Sequence, residues 1–356
     1  MVLIRIARIR TIVLHLWCLL LIGPVVWAAG QTGAGGAAQT PPAQPPSPQA
    51  QPRQAQLPEA GDQQPMQTLK VNVDVVSVYC NVKDKHGALI PSLKKEDFEL
   101  SEDGVKQNIK YFSAETDQPL TLGILMDTSG SLMQVIPAEK EVGGAFLSQV
   151  LTPKDLAFFM TFDVDVELAQ DFTSSAHQLK RAMDAAKVNV PPNGPPLTSG
   201  PFPTSHDTRS TALYDGIYLA ANEKLGREVG RKAMIIMTDG VDEGSKVRLK
   251  EAVESAQKAD AICYVLLFAR GIYGTQGEGN MKKLAEETGG RLFEIDRIDN
   301  LKTAFDQIAS ELRTQYGIGY TPLNNKKDGT FRKIEIHSKE GYKVQARHGY
   351  YAIPHS

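Results

Sequence analysis

Cysteine is scarce, with only three in 356 residues. One of them, Cys18, belongs to an amino-terminal apolar segment, which leaves Cys80 and Cys263 for the rest of the chain. Two thiols make no disulfide framework. Cys263 falls inside the apolar run Ala261–Phe268, which reads as a buried strand, so two buried free cysteines are expected. An excess of either charge is missing as well: 39 Lys and Arg stand against 41 Asp and Glu, a formal net charge of −2. No basic footprint for nucleic acid follows from that balance. His86, His177, His206, His337, His348 and His355 are scattered without ligand-like spacing. Neither the HExxH of zinc proteases nor the GxSxG elbow of serine hydrolases occurs. Asp127-Thr128-Ser129-Gly130 has a superficial likeness to the Asp-Thr-Gly of aspartic proteases, but a serine intervenes and no second copy supplies the carboxylate dyad. An enzyme is therefore not expected, a hydrolase being the weakest of the alternatives.

The length allows about two domains, and an apolar content of 42% suffices for a packed core. Residues 1–29 carry Arg5, Arg8 and Arg10 with no acid, then an apolar run from Ile12 to Trp27, then Ala28-Ala29. This pattern predicts a secretory signal peptide, with a retained membrane anchor as the alternative. His15-Leu16-Trp17 before Cys18 does not form a lipoprotein cleavage box. Loss of the three arginines takes the formal charge from −2 to about −5. The expected location is exported: periplasmic, cell-surface or secreted, with no membrane span in the mature chain. Residues 30–66 are Gly, Ala, Gln and Pro with scarcely a large apolar side chain, which predicts a disordered, partly polyproline-type tether.

Residues 67–117 read as a small β unit. Val76, Val78, Cys80 and Val82 alternate with other residues in the phase opposite to Val71, Val73 and Val75, so a bulge or bend is expected near Val75-Val76. Lys85-His86-Gly87 turns the chain, and Phe98-Glu99-Leu100 is strand-like. Asp103-Gly104 is a hairpin turn leading toward Ile109-Lys110-Tyr111. Residues 315–353 return to strands: Tyr316–Tyr320, then Phe331, Ile334 and Ile336, then Tyr342, Val344 and Ala346, then Tyr350-Tyr351. Either piece alone is marginal to fold, so the two flanks are expected to share one antiparallel β-sandwich.

Residues 118–314 alternate strands and helices. Strand candidates are Leu120–Met126, Leu156–Phe162, Met234–Met237, Ile262–Phe268 and Leu292–Ile295, with Val164–Leu168 as a short antiparallel edge. Helical spacing links Leu179, Ala182, Met183 and Ala186, and again Leu249, Ala252, Val253 and Ala256. Such alternation predicts a doubly wound, mostly parallel sheet of the Rossmann-like kind, with ligands gathering at the carboxyl ends of its strands. The first strand ends on Asp127-Thr128-Ser129-Gly130-Ser131, placing one carboxylate and two hydroxyls at alternate positions. Ser210-Thr211 opens the helical pattern Ala212–Gly216, and Ala233–Met237 runs into Thr238-Asp239-Gly240. Hydroxyl and carboxylate oxygens are what a hard divalent cation accepts.

These segments resemble the von Willebrand factor type A (VWA) family, whose metal-ion-dependent adhesion site (MIDAS) is written DxSxS, then Thr, then Asp after a second strand. Here those positions are Asp127, Ser129, Ser131, Thr211 and Asp239, and Leu284–Arg291 is similar to the family's turn before its last strand. The likeness covers roughly Pro119 to Thr314. The flanks, with Asp97–Leu100 and Glu102-Asp103-Gly104 on one side and Gly319–Pro322 and Gly349-Tyr350-Tyr351 on the other, resemble a bacterial exported VWA-related subgroup. The resemblance implies a site for Mg²⁺, Mn²⁺ or Ca²⁺. In it Ser129 and Ser131 would be direct ligands, Thr211 would join in the ligand-bound state, and Asp127 and Asp239 would act through water. An open position would then take an Asp or Glu carboxylate of a partner protein of unknown identity, in adhesion or assembly. The alternative is a structural envelope scaffold with a vestigial metal site. Asp215 and Asp242 are expected to be turn or hydrogen-bonding residues. The proline-rich loop 189–208 is either a specificity loop or a tolerated insertion.

Overall fold

A computed structural model describes residues 75–114, 118–188, 211–268 and 274–353. The expected signal segment, the tether, the start of the first β unit and the proline-rich loop lie outside the described residues. The first flank contributes β1 (Val76–Lys83), β2 (Phe98–Glu102), β3 (Val105–Gln107) and β4 (Ile109–Ser113). The central segment runs β5 (Leu120–Asp127), α1 (Ile136–Val150), β6 (Leu156–Phe162), β7 (Val166–Thr173), α2 (Ala176–Ala185), α3 (Leu213–Leu219) and β8 (Arg231–Thr238). It continues with α4 (Leu249–Lys258), β9 (Ala261–Leu267), α5 (Gly274–Glu287), β10 (Arg291–Glu294) and α6 (Ile298–Arg313). The second flank adds β11 (Tyr316–Tyr320), β12 (Phe331–Ser338), β13 (Lys343–Ala346) and β14 (Gly349–Tyr351).

The central sheet has the order β10-β9-β8-β5-β6-β7. All its pairs are parallel except β6–β7, so the expected antiparallel edge is present and extends to Thr173. Every residue of β5 and of β9 is buried, because helices cover both faces; this is why these strands read as unbroken apolar runs. α1, α2 and α6 pack on one face around Phe146, Leu147, Phe305 and Ile308. α3, α4 and α5 pack on the other around Ile217, Val253 and Leu284. The chain moves from β5 to β6 in one direction and from β8 to β10 in the other. The order therefore reverses between β5 and β8, where such folds bind ligands.

The flanks fold together as two antiparallel four-stranded sheets, β13-β1-β11-β4 and β14-β12-β2-β3. One core joins them: Val78, Cys80 and Ile318 from the first meet Phe98, Leu100, Ile334 and Ile336 from the second. Both cysteines are free and buried. Asp103 (φ 48°) and Gly104 (φ 78°) make the expected hairpin turn. The turn leads into β3 beside β2, however, and Ile109–Tyr111 then crosses to pair with β11 in the other sheet. At the junction with the central segment, Arg231 donates from Nη1 to Leu312 O (2.7 Å) and from Nη2 to Gln118 O (3.0 Å). It thereby ties together the points where the chain enters and leaves the α/β unit.

The turn between α5 and β10 depends on its glycines. Gly289 has φ +84°, and a Cβ on Gly290 would lie 1.9 Å from the carbonyl oxygen of Cys263 in β9. The obstructing atom is backbone, so it cannot rotate away. Gly290→Ala is expected to cost about 1–3 kcal/mol through overpacking, read as a lowered urea midpoint; an unchanged midpoint would contradict this packing.

Candidate functional site

The strands β5 and β8 deliver two acids to the same edge. Asp127 is the last residue of β5, and Asp239 follows the last residue of β8. The two strands are parallel neighbours, in register at Met126 and Met237. Asp127 is fully buried. Its Oδ1 accepts from the Ser129 backbone N–H (3.0 Å), a local turn that bends the chain back over the strand end. Its Oδ2 accepts from the Thr238 hydroxyl (2.9 Å). Thr238 Oγ1 accepts in turn from the Gly240 N–H (3.0 Å), so the two loops are bonded across the strand boundary.

The hydroxyls close the arrangement. Ser131 Oγ donates to Asp239 Oδ2 (2.7 Å), and Ser129 Oγ lies 2.9 Å from Ser131 Oγ. Asp127, Ser129, Ser131 and Asp239 thus stand in one chain of hydrogen bonds. Thr211 lies on the same rim and is held by its backbone. Its carbonyl accepts from Glu243 N (3.1 Å) and Gly244 N (3.0 Å) beyond β8, and the next residue, Ala212, donates to Asp163 O (2.7 Å) beyond β6. The Thr211 hydroxyl makes no hydrogen bond to the other four residues. It sits two positions before α3 instead of capping it.

Asp215 and Asp242 are bonding residues. Asp215 Oδ1 accepts from the backbone N–H groups of Lys246 and Val247, both at 3.0 Å. Asp242 Oδ1 accepts from Tyr214 N (3.1 Å) and from the Ser245 hydroxyl. Together they pin the start of α3 to the loop after β8.

Electrostatics set this corner apart. Burial raises the Asp127 carboxyl from 3.8 to about 7, against hydrogen bonds from Ser129 that lower it; the Asp239 charge adds to the rise. Among the described residues, neither Asp127 nor Asp239 forms an ion pair with a base. Two adjacent carboxylates, one without access to water, require a proton or a cation. Two carboxylates and three hydroxyls are a hard-oxygen set, which fits Mg²⁺, Mn²⁺ or Ca²⁺ and not a softer metal. Among the described residues, no three His, Cys, Asp or Glu side chains are grouped so that they could hold a metal ion by themselves. Any cation held here therefore depends on the hydroxyls.

Two residues of this region escape a reading of the motif alone. Thr238 supplies a hydroxyl to Asp127, and nothing separates it in sequence from an ordinary strand residue. Glu139 in α1 is fully buried with neither oxygen bonded among the described residues. Its spacing from Ile136 and Gly143, both on the inward stripe of α1, is the signal that would have found it.

No family model matches the chain, and no curated protein matches it. Solved structures do. BatB from Bacteroides thetaiotaomicron is 18% identical, over 54% of this chain and 97% of that one, with a TM-score of 0.41. The vWF domain of the type V pili tip protein Mfa5 from Porphyromonas gingivalis is 12% identical, over 54% and 94%, with a TM-score of 0.41. A von Willebrand factor type A protein from Catenulispora acidiphila is 13% identical, over 72% and 73%, with a TM-score of 0.44. At such identities and scores, function has to be argued from the chain's own residues.

Proposed function

We propose that this chain is an exported protein-binding module that captures an acidic group of a partner through a divalent cation held at the β5–β8 rim. The observation that carries this reading is the hydrogen-bonded chain Ser129–Ser131–Asp239 beside Asp127, which is buried and has no basic side-chain partner among the described residues. A bound Mg²⁺, Mn²⁺ or Ca²⁺ supplies a Lewis-acid position for a partner's Asp or Glu carboxylate. Ser129 and Ser131 offer their hydroxyl oxygens to it directly, and Asp127 and Asp239 hold those hydroxyls in place and balance charge. Thr211, already fixed on the rim by Glu243 and Gly244, is available to join when the partner's carboxylate arrives. The reading is one of adhesion or assembly and not of catalysis. Export rests on the basic and apolar amino-terminal segment; among the described residues, no helix is long and apolar enough to cross a membrane.

Cation linkage tests it. At a Mn²⁺ concentration about 100 times Kd, linkage contributes roughly 2.7 kcal/mol, and at about 2–4 °C per kcal/mol the melting midpoint rises by roughly 5–10 °C. Ser129→Ala and Ser131→Ala are expected to remove most of the rise while leaving the midpoint in chelator nearly unchanged. A wild-type melting curve indifferent to Mn²⁺, Mg²⁺ and chelator would leave a structural scaffold with a vestigial site.

A further inference from the structure

Three strand edges border one groove with no strand between them. β10 closes the central sheet, β13 closes one sheet of the flanks, and β14 follows β12 only from Phe331 to Lys333. Past Ile334, whose N–H is taken by the His348 carbonyl (2.8 Å), that edge of β12 has no strand beside it among the described residues. The groove measures about 650 Å³. At one end Gly289 touches the Arg347 backbone, and Gln345 Nε2 donates to Gly289 O (3.1 Å). β10 leads away from that contact and β13 leads into it, so both strands flank the groove.

The backbone shows what the β10 edge can do. Ile295, just past β10, donates to Leu267 O in β9 (2.7 Å). Alternation along the strand then turns Arg291 and Phe293 toward β9 and leaves the N–H and C=O of Leu292 and Glu294 directed outward. Both of those residues line the groove. An edge of this kind is a template for another strand, and no proline or bulge interrupts β10.

The side chains select the occupant. Leu292 packs on the core that holds α5, and Phe293 on the opposite one, so Glu294 turns to the α5 side by the same alternation. There α5 lines the groove with Glu278, Lys282 and Glu286. None of the three acids forms an ion pair among the described residues, and one lysine does not balance them. The far wall differs: Lys333 is paired with Glu335 and Arg347 with Asp260, while half-buried Val344 and buried Ile336 give it an apolar lining. Lys343 is the cation left over on that wall.

We infer that the free edge of β10 takes up an extended segment of a partner protein, apolar at alternate positions and lysine or arginine at the others. The segment adds a seventh strand to the central sheet by pairing with the N–H and C=O of Leu292 and Glu294. Its basic side chains turn to Glu278, Glu286 and Glu294, and its apolar ones to Val344 and Ile336. The β5–β8 rim plays no part, so this surface binds with or without a cation.

A fluorophore-labelled synthetic peptide of alternating valine and lysine, titrated into the full chain in chelator, is the probe, and a peptide of alternating valine and glutamate is its control. Wild type is expected to bind the lysine peptide at least about tenfold more tightly than the glutamate one. At saturation, hydrogen exchange at the Leu292 and Glu294 amides should slow by about tenfold or more. Glu294→Pro removes an outward N–H together with an acid, and is expected to weaken binding by about tenfold. Glu278→Lys should weaken binding of the lysine peptide without touching the strand edge. If Glu294→Pro melts below wild type, Glu278→Lys and the wild-type exchange pattern decide the matter. No saturable binding of the lysine peptide to wild type, equal binding of the two peptides, or binding that leaves exchange at Leu292 and Glu294 unchanged each overturns the proposal.

Discussion

In chelator, the wild-type protein is expected to lose about 4 kcal/mol of stability between roughly pH 4 and pH 7 through Asp127 alone. The folded carboxyl keeps its proton up to about 7, whereas the unfolded one releases it near 3.8. Over that interval the folded chain binds a proton that the unfolded chain has given up, so stability falls as pH rises and levels off above the folded value. Three units of separation correspond to ~4 kcal/mol. Asp127→Asn removes this slope, and above pH 7 the variant should unfold at higher urea than wild type in chelator. Some of the gain is offset because an amide cannot reproduce both bonds accepted from Ser129 and Thr238. Saturating Mn²⁺ should flatten the wild-type slope. Urea midpoints collected against pH for the two proteins decide the matter: parallel curves would show that Asp127 is not the group under strain.

The second large effect lies away from the rim. Glu311 in α6 accepts from Lys83 Nζ in β1 (2.7 Å), from Arg291 Nη1 in β10 (3.2 Å) and from Gln345 Nε2 in β13 (3.3 Å). The Lys83 and Glu311 side chains are 8% and 2% exposed. Burial lowers the Lys83 ammonium while Glu311 holds it up, so Glu311→Ala strands a buried base and is expected to cost about 3–5 kcal/mol. Pairing Lys83→Met with Glu311→Leu should recover most of the loss, because the cost comes from the partner left behind more than from the bond itself. A Glu311→Ala urea midpoint within error of wild type would refute this account. One that moves with a changed denaturant slope would mean that the flanking sheets and the α/β unit no longer unfold as one.

Sequence and structure agree best where burial is two-sided. β5, β8 and β9 are legible because a strand covered on both faces tolerates almost nothing but apolar residues, and a carboxylate ending such a run marks the edge of the sheet. The pairing of the two flanks was legible from their size, since neither piece can bury enough surface alone. The crossing of Ile109–Ser113 to the other sheet was not. Residues from Phe98 to Phe112 read equally well as one meander, and only the shared core of Phe98, Phe112 and Tyr316 selects the partner strand. At the rim, Asp127, Ser129, Ser131 and Asp239 were visible as a spaced motif. Thr238 was not, because its role depends on β8 lying in register beside β5, a relation between residues 111 positions apart. Glu139 was hidden for the opposite reason. Its spacing is that of a core residue, and its chemistry is that of a surface one.

The clamp at Arg231 has a mechanical consequence. The polypeptide leaves β4 at Ser113 and returns into β11 opposite it, at Gly317, so both tethers of the α/β unit emerge from the same end of one antiparallel pair. Tension applied at the rim would pull that pair apart from its tip, rupturing one rung at a time instead of shearing all of them at once. The guanidinium bridging Gln118 and Leu312 spans the two tethers at their base, and Glu311 binds Lys83 and Gln345 of the flanking sheets nearby, so a load that parts the tethers meets these side-chain bridges together with the first rung.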